Sequence, residues 1–466
     1  MMMNTRHYIL TIIVLILVLF TNACKKSSFL DANPNDSLII PKTVGQYQSL
    51  LDDYSRMNYG TPYNINSGSD DYYLLPGFFD AFYDETAKNA YIWNDNIWFQ
   101  GSGALLNWNI PYSVIFNANL VLHGLKDIQA ISGEQTAWNN LKGHALFLRA
   151  FHFYQLSQLF LPVYSVSSAN SQLGLPLRLG IDIDESIKRS TVQETYNQII
   201  KDLNEAKELL HEQSGVKTRP SKHAVYALLS RIYLSIGDYE SALQNANASL
   251  AINNTLLDYN VPDVLSKGNV EIIWPAKIAY DGLQPAFDFA SSAVDEDLLG
   301  SYSAKDKRIA VFFDINQLGG KYFKGTYNFS QNEEPTSLFT GLATDEIYLI
   351  RAECYARLGN KDLALADLNT LMVKRWVDDG SWVPFTATTA AEALDKILVE
   401  RRKELVFRGL RWSDLRRLNS EGRNITLTRK LDDGTIVSLA PNSLKYTYLI
   451  PPSVIGFHPE MPQNPR

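Results

Sequence analysis

Two segments of this chain, 122 residues apart (359 − 237), share one spacing of tyrosine, glycine and alanine. The glycine follows the tyrosine by four residues and precedes the alanine by five, as Tyr233, Gly237 and Ala242 and again as Tyr355, Gly359 and Ala364. A glycine readily ends a helix in a left-handed turn. A small alanine lets the next helix pack closely. The spacing predicts helical hairpins of the tetratricopeptide kind, separated by large insertions rather than joined in a tandem array.

Other apolar residues also recur at helical spacing. They predict four further helices, over 112–122, 138–159, 195–210 and 222–236. Pro111 precedes the first of these and is expected to open it. The stretches 59–103 and 282–341 show no sustained period and indicate long loops, whereas 270–278 indicates a short strand. The predicted fold class is mainly α, with helical hairpins, long loop insertions and few short strands.

The N-terminus has the layout of a cleaved secretory signal. A short basic start precedes the apolar run 8–20, whose 13 residues are too few for a bilayer-spanning helix of about 20. The run ends in Thr21-Asn-Ala-Cys24, which resembles a bacterial lipobox. We therefore expect residues 1–23 to be removed, and Cys24 to carry lipid that holds the protein at a membrane surface.

The mature chain is then 24–466, which we expect to form a single domain. Its N-terminal half, 24–220, contains the aromatic loops. Its C-terminal half, 221–466, contains the repeated hairpins and a second loop insertion.

Charge and cysteine content exclude several classes of protein. The formal net charge of −7 argues against a nucleic-acid partner, because phosphate contacts need clustered lysine and arginine. If Cys24 is lipidated, only Cys354 remains, so no intramolecular disulfide can form. Cys354 lies on an apolar helical stripe, which predicts a buried, inert thiol.

The loop 59–103 contains the best candidates for a binding site. Aromatic, acidic and amide residues crowd into about 30 positions of this loop, and the predicted ligand contacts are Asp71, Tyr72, Tyr73, Trp93, Asn94 and Trp98. Flat rings suit the apolar face of a sugar, and carboxylates and amides bond to its hydroxyl groups. For any one of these rings, a place in the core is an equally good interpretation.

Motifs for catalysis are weak. No zinc-binding His-Glu-x-x-His, nucleophile elbow, phosphate loop or dinucleotide fingerprint is present. His144 and His152 share a helix face, but packing explains them better than a metal does. We predict a binding protein without catalytic residues, metal or cofactor. A glycoside hydrolase is the minor alternative, since carboxylates such as Asp70, Asp80, Asp84 or Asp295 could supply its acid and base.

An ordered set of motifs resembles the SusD/RagB family, the nutrient-binding outer-membrane lipoproteins of Bacteroidetes-type bacteria. The clearest is the segment 400–417 (ERRKELVFRGLRWSDLRR), read as one C-terminal helix, and the close at 448–453 (YLIPPS) with His458-Pro459 is similar too. Leu148-Arg-Ala150 and Arg219-Pro-Ser-Lys222 match in the same order. Arg408 departs from the family pattern, which usually has an acid before Gly409.

The resemblance implies four tetratricopeptide-like hairpins as a rigid base, with loops on one face that bind a glycan or another nutrient. It also implies a partner, a SusC-like TonB-dependent barrel transporter of the outer membrane, over which the lipoprotein closes as a lid. A peptide-binding protein or a scaffold of the same fold are alternatives. The charged residues of 400–417 are expected to serve structure, with Arg411 and Trp412 docking the segment to the hairpins.

Overall fold

The computed structural model describes residues 41–82, 84–99, 106–128, 133–182, 185, 188–265, 268–278, 290–330 and 337–466. Within it, Thr43–Arg466 form one compact unit. The predicted signal segment and Cys24 lie outside the described residues. None of the helices in the described ranges is long and apolar enough to cross a membrane.

The described ranges contain sixteen α-helices. They are α1 (Val44–Leu51), α2 (Tyr54–Met57), α3 (Phe78–Ala81), α4 (Glu85–Tyr91), α5 (Leu106–Gly124), α6 (Gln135–Phe160), α7 (Val192–Leu209), α8 (Lys222–Ser235), α9 (Tyr239–Ile252), α10 (Glu296–Gly300), α11 (Arg308–Phe312), α12 (Thr344–Arg357), α13 (Lys361–Met372), α14 (Ala390–Glu404), α15 (Arg411–Ser420) and α16 (Pro452–Phe457). The predicted mainly α fold is confirmed.

Ten short strands in the same ranges pair two by two. They are β1 (Tyr72–Leu74), β2 (Leu173–Pro176), β3 (Arg189–Thr191), β4 (Ile272–Trp274), β5 (Ser292–Val294), β6 (Phe313–Ile315), β7 (Lys321–Phe323), β8 (Leu342–Ala343), β9 (Leu427–Lys430) and β10 (Ile436–Leu439). The antiparallel pairs are β1 with β5, β2 with β3, β4 with β8, β6 with β7 and β9 with β10. The pairs β1–β5 and β4–β8 join segments that are distant in sequence.

Both predicted hairpins are present. Gly237, with φ of 79°, separates α8 from α9, and Gly359, with φ of 85°, separates α12 from α13. Ala242 and Ala364 are fully buried between the paired helices. Successive helices pack in the order α5, α6, α7, α8, α9 and α12, and α12 also packs on α13 and α14. This stack is the base on which the loops are carried.

Helix α5 differs from its prediction. In the described residues it begins at Leu106, so Pro111 lies inside the helix rather than at its start. Proline lacks an N–H and removes one hydrogen bond, to the carbonyl of residue 107, but its fixed φ suits a helix. Pro111 is the sixth residue of the helix and lies beyond the first four N–H groups, so the helix does lose this one hydrogen bond.

The segment 400–417 is also not the single helix that its sequence suggested. It spans the end of α14 and most of α15, with a turn between them. Phe407 and Gly409 have positive φ angles of 59° and 72° in this turn, which no helix accommodates. A Cβ on Gly409 would also lie 3.1 Å from Thr340.

The charged residues of this segment serve structure, as predicted, but Arg411 docks it to the N-terminal loop and not to the hairpins, which Arg417 reaches through Glu353 on α12. Arg411 makes two 2.7 Å hydrogen bonds to Asp70, and Trp412 is 1% exposed in the core. The unusual Arg408 lies in the core as well, 3.2 Å from Asp345 and over the rings of Tyr327 and Phe339. The Arg411 contact fixes α15 to the N-terminal loop, and the Arg408 contacts fix the preceding turn to residues 327–345.

Candidate functional site

Of the six predicted contacts, Asp71 lies inside the protein. It immediately precedes β1 and is 1% exposed. Burial and the neighbouring charge of Asp70 raise the pKa of Asp71 to about 6, against the opposite effect of Arg402. The Arg402 Nε lies 3.6 Å from its carboxylate. Asp71 therefore belongs to a buried ion cluster, not to a ligand surface.

Tyr72 and Trp93 are also buried, and they face an arginine of the chain itself. The Arg429 guanidinium lies 5.3 Å from the Tyr72 ring, 5.2 Å from Trp93 and 4.4 Å from Tyr91. The hydroxyl of Tyr72 donates to the Ser67 carbonyl at 2.9 Å, and the indole N–H of Trp93 donates to that of Gly68 at 3.0 Å. Together with Tyr91, these two rings surround the guanidinium of Arg429 inside the protein.

Tyr73 and Asn94 remain within reach of solvent. Tyr73 is half-buried, and its hydroxyl donates to Glu296 at 3.2 Å. Asn94 is exposed, and its amide donates to Asn89 at 3.1 Å. In the described part of the chain no hydrogen bond joins the two, so the six predicted residues do not form one site.

Trp98 is the buried end of a row of rings that leads to the surface. Its indole N–H donates to the Leu449 carbonyl at 2.8 Å. Its ring stacks on Phe160 at 6.2 Å, Phe160 meets Trp108 edge to face at 4.9 Å, and Trp108 lies 4.9 Å from Tyr112. We call these four rings the aromatic row.

The aromatic row ends at a cavity of about 350 Å³, which we call the ring cavity. It lies between the N-terminal part of α5, the end of β2 and the C-terminal part of α16. Its lining comprises Trp108, Asn109, Tyr112, Ser113, Pro176, Arg178, Val454, Phe457, His458 and Met461. Small-molecule sites commonly measure roughly 300–1,000 Å³ and combine apolar walls with a few polar groups. The ring cavity has both properties.

The position of each wall follows from local structure. Trp108 and Tyr112 are one helical turn apart on α5, and so are Asn109 and Ser113, which places rings and polar groups on adjoining stripes. The Tyr112 hydroxyl donates to the Pro176 carbonyl at 2.9 Å, which fixes the ring against β2. Burial raises the pKa of Tyr112 well above its ordinary value, so the phenol stays protonated.

Phe457 forms the outer wall. It is the last residue of α16 and is 84% exposed. Among the described residues it is the most exposed of the large hydrophobic side chains. A phenylalanine in this position offers an apolar face next to a cavity that already contains Trp108 and Tyr112, and exposed apolar surface of this kind often marks a binding site.

Two larger hollows have less ring surface. One, of about 650 Å³, lies between α1, the start of α6 and the segment after α7, and no tryptophan, tyrosine or phenylalanine is among its described lining residues. The other, of about 810 Å³, has one such ring, Trp138. Lys142 covers that ring at 5.6 Å and is itself held by Glu205 at 2.6 Å.

Both histidines considered for a metal lie in the core, and the described residues contain no group of three or more His, Cys, Asp or Glu side chains that could hold a metal ion. Burial lowers the pKa of His144 to about 3 and that of His152 to about 4, so both rings are neutral. His152 lies 3.2 Å from the Met57 carbonyl, and His144 lies 3.2 Å from the Gln48 amide. Cys354 is buried as predicted, and burial raises the pKa of its thiol to about 12.

The sequence interpretation missed the ring cavity. The helix was expected to begin only after Pro111, so Trp108 was not placed on it. The spacing of Trp108 to Tyr112, with Asn109 to Ser113 beside it, is the signal that an earlier helix start would have revealed. Nothing in the local sequence places Phe457 or Arg178 beside them.

Two protein-family models match this chain. Residues 28–234 match a SusD-like family model described as starch-binding and associating with the outer membrane, and residues 314–465 match the SusD family model. A SusD-like protein of Formosa agariphila is 25% identical over 372 residues, 67% of this chain and 71% of that protein. A second one from the same species is 24% identical over 396 residues, 70% of this chain and 74% of that protein.

Solved structures of the same kind share the fold. A SusD superfamily protein of Bacteroides thetaiotaomicron has a TM-score of 0.74 at 22% identity, over 91% of this chain and 100% of that one. A putative sugar binding protein of Bacteroides vulgatus has a TM-score of 0.73 at 22% identity, over 92% of this chain and 99% of that one. Similarity at this identity concerns the fold alone.

Proposed function

Since the chain belongs to the SusD/RagB family of outer-membrane-associated, carbohydrate-binding proteins, we propose that it captures an oligosaccharide outside the cell and delivers it to a TonB-dependent barrel transporter. The proposal places the protein at the cell surface, held by lipid on Cys24 after removal of residues 1–23. The lipobox-like sequence supports the anchor, and the family supports the transporter partner.

The observation that carries the binding proposal is the ring cavity with its exposed wall, Phe457. A pyranose ring has apolar C–H faces and a polar edge. The C–H faces can pack on the three aromatic rings of the lining, Phe457, Trp108 and Tyr112. The polar edge can form hydrogen bonds with Asn109 and with Ser113, which lies one turn further along α5.

The lining also supports binding without hydrolysis. A glycoside hydrolase usually needs two carboxyl groups on either side of the scissile bond. No aspartate or glutamate is among the described residues that line the ring cavity. Three of the four carboxylates considered for hydrolysis serve structure, since Asp70 pairs with Arg411, and Asp84 and Asp295 cap the N-termini of α4 and α10.

The six contacts predicted from sequence take two roles in this proposal. Tyr73 and Asn94 reach solvent, and they are available for a second, weaker contact with a long ligand. Asp71, Tyr72, Trp93 and Trp98 act indirectly, by holding the loops and the aromatic row in place.

The test uses soluble protein that lacks residues 1–24 and isothermal titration calorimetry against a panel of oligosaccharides and peptides. Phe457→Ala removes an exposed wall that makes few contacts with the core, so the fold should be unchanged. Loss of one ring contact is expected to weaken saccharide binding about 2- to 12-fold, since an aromatic contact contributes roughly 0.5–1.5 kcal/mol.

The matched control is Phe116→Ala. Phe116 is 40% exposed on α5, the same helix as Tyr112, but outside the cavity lining. Its removal should leave the affinity within twofold. If no oligosaccharide binds, or if both substitutions weaken binding equally, the ring cavity is not a carbohydrate site.

A further inference from the structure

We propose that the ring cavity selects a saccharide that carries a negative charge, as a carboxylate or a sulfate ester, over a neutral one. The inference rests on the proposed function and names the class of ligand. It is carried by two arginines beside the rings that no carboxylate neutralises among the described residues.

Arg178 is the first of the two, and it lines the cavity. It is half-buried and follows β2 by two residues. One of its terminal nitrogens, Nη1, donates to the Asp182 carbonyl at 3.2 Å. In the described ranges that is the sole hydrogen bond of the Arg178 side chain, and the side chain forms no ion pair there. Most of the guanidinium donors therefore remain available to a ligand.

Arg189 is the second, on β3. It donates to three backbone carbonyls, those of Gly174 at 2.8 Å, Pro462 at 3.1 Å and Leu173 at 3.2 Å. None of these partners carries a charge. Burial lowers the pKa of Arg189 to about 10, which still leaves the group positive at neutral pH. Pro462 adjoins Met461, a lining residue, so this charge lies close to the cavity.

Both charges also act on Tyr112. Burial raises the pKa of its phenol, and the positive fields of Arg189 and Arg178 oppose that rise. The two guanidiniums thus produce a positive potential at the ring that forms one wall of the cavity. The chain as a whole carries −7, so these two positive groups lie beside the cavity of an otherwise acidic protein.

The remaining ionisable group of the lining is His458. Its Nδ1 lies 4.0 Å from Glu460, whose side chain is 58% exposed and therefore well solvated. A solvated carboxylate interacts only weakly with neighbouring charges. Glu460 is not itself a lining residue.

Lack of a carboxylate partner is not enough by itself to indicate a site. Arg416 is also held by carbonyl oxygens, those of Gln158 and Leu161, but it is 5% exposed in the core. Arg178 differs because it adjoins an open cavity with aromatic walls. Guanidinium groups bind carboxylate and sulfate oxygens through charge-assisted hydrogen bonds, roughly twice as strong as neutral ones.

The experiment compares matched ligands that differ only in charge. One pair is an oligogalacturonate and its methyl ester, and the other is a sulfated galactan oligosaccharide and its desulfated form. The first pair tests a carboxylate and the second a sulfate. For at least one pair, the charged member should bind at least tenfold more tightly than the neutral one at 50 mM NaCl, and the difference should shrink at 500 mM.

The variant Arg178→Gln should weaken binding of the charged ligand at least tenfold more than it weakens binding of the neutral one. Arg178→Lys, which keeps the charge, should restore most of the affinity. The matched control is Arg423→Gln, which changes the net charge equally at an exposed position outside the cavity. It should affect neither ligand.

The outcomes separate the two proposals. If Phe457→Ala weakens binding but charged and neutral ligands bind alike, carbohydrate capture stands and the charge preference is wrong. If Arg178→Gln weakens both members of a pair equally, the arginine has no selective role. If no saccharide binds, both proposals fail.

Discussion

At the scale of single residues, the crowding of rings in 59–103 has a chemical explanation other than ligand binding. Arg429 is 5% exposed, and its guanidinium needs neighbours that compensate for lost water. The faces of Tyr72, Tyr91 and Trp93 supply them through cation–π contacts. Residue types that suit a sugar also suit a buried arginine, so composition alone cannot distinguish the two.

Trp93→Ala tests this assignment. Removal of a buried tryptophan typically costs about 3–5 kcal/mol, so we expect a large loss in the free energy of unfolding by denaturant titration. Saccharide affinity, measured at low temperature where the variant is folded, should stay within twofold. A variant of native stability that no longer binds would place Trp93 in the ligand site. Phe457→Ala should show the opposite pattern.

At the scale of elements, the repeated glycines were the most informative part of the sequence. Their prediction needed only local physics, because a residue with positive φ after a helix favours glycine wherever the chain lies in the fold. The same local reasoning correctly gave the body of α6, α7 and α8, and the Ser221 hydroxyl caps α8 by accepting from the Ala224 N–H. It went wrong at α5, where tertiary packing overrode the local signal of Pro111.

Gly359→Ala is expected to destabilise the α12–α13 hairpin by about 1–2 kcal/mol, because an L-residue at φ of 85° is strained. No atom lies within 4 Å of the position that the new Cβ would occupy, so the cost is conformational and not a steric clash. The measurement is the free energy of unfolding from denaturant titration.

Gly45→Ala is the matched control, since its Cβ would also meet nothing within 4 Å, but Gly45 lies in α1 at a negative φ. It should stabilise the protein by about 0.5–1 kcal/mol, because glycine is a poor helix former. Effects of the same sign at both positions would contradict the turn assignment.

At the scale of the whole molecule, the ring cavity is built from both ends of the chain. Trp108 and Tyr112 come from α5, Arg178 from the segment after β2, and Phe457 from α16, almost 350 residues beyond Trp108. Contacts such as that of Trp98 with the Leu449 carbonyl hold the two ends together. The helical base could be predicted from sequence because its signals are local. The cavity could not, because no local pattern encodes which distant segments meet.

The position of the ring cavity beside the hairpin stack suits the proposed function. The hairpin stack is rigid and closely packed, and the cavity lies where the C-terminal segment returns to α5. A saccharide held there lies partly on Phe457, open to solvent, and is free to be released without a large rearrangement of the core. Such a site suits capture and transfer better than retention.

The most direct measurement is a crystal structure of the protein lacking residues 1–24, with the tightest-binding oligosaccharide of the panel. We expect one sugar ring against Phe457 and the α5 rings, with its polar edge towards Asn109 and Arg178. A ligand seated elsewhere, against Tyr73 and Asn94 or in the hollow beside Trp138, with the ring cavity empty, would contradict the assignment of the carbohydrate site.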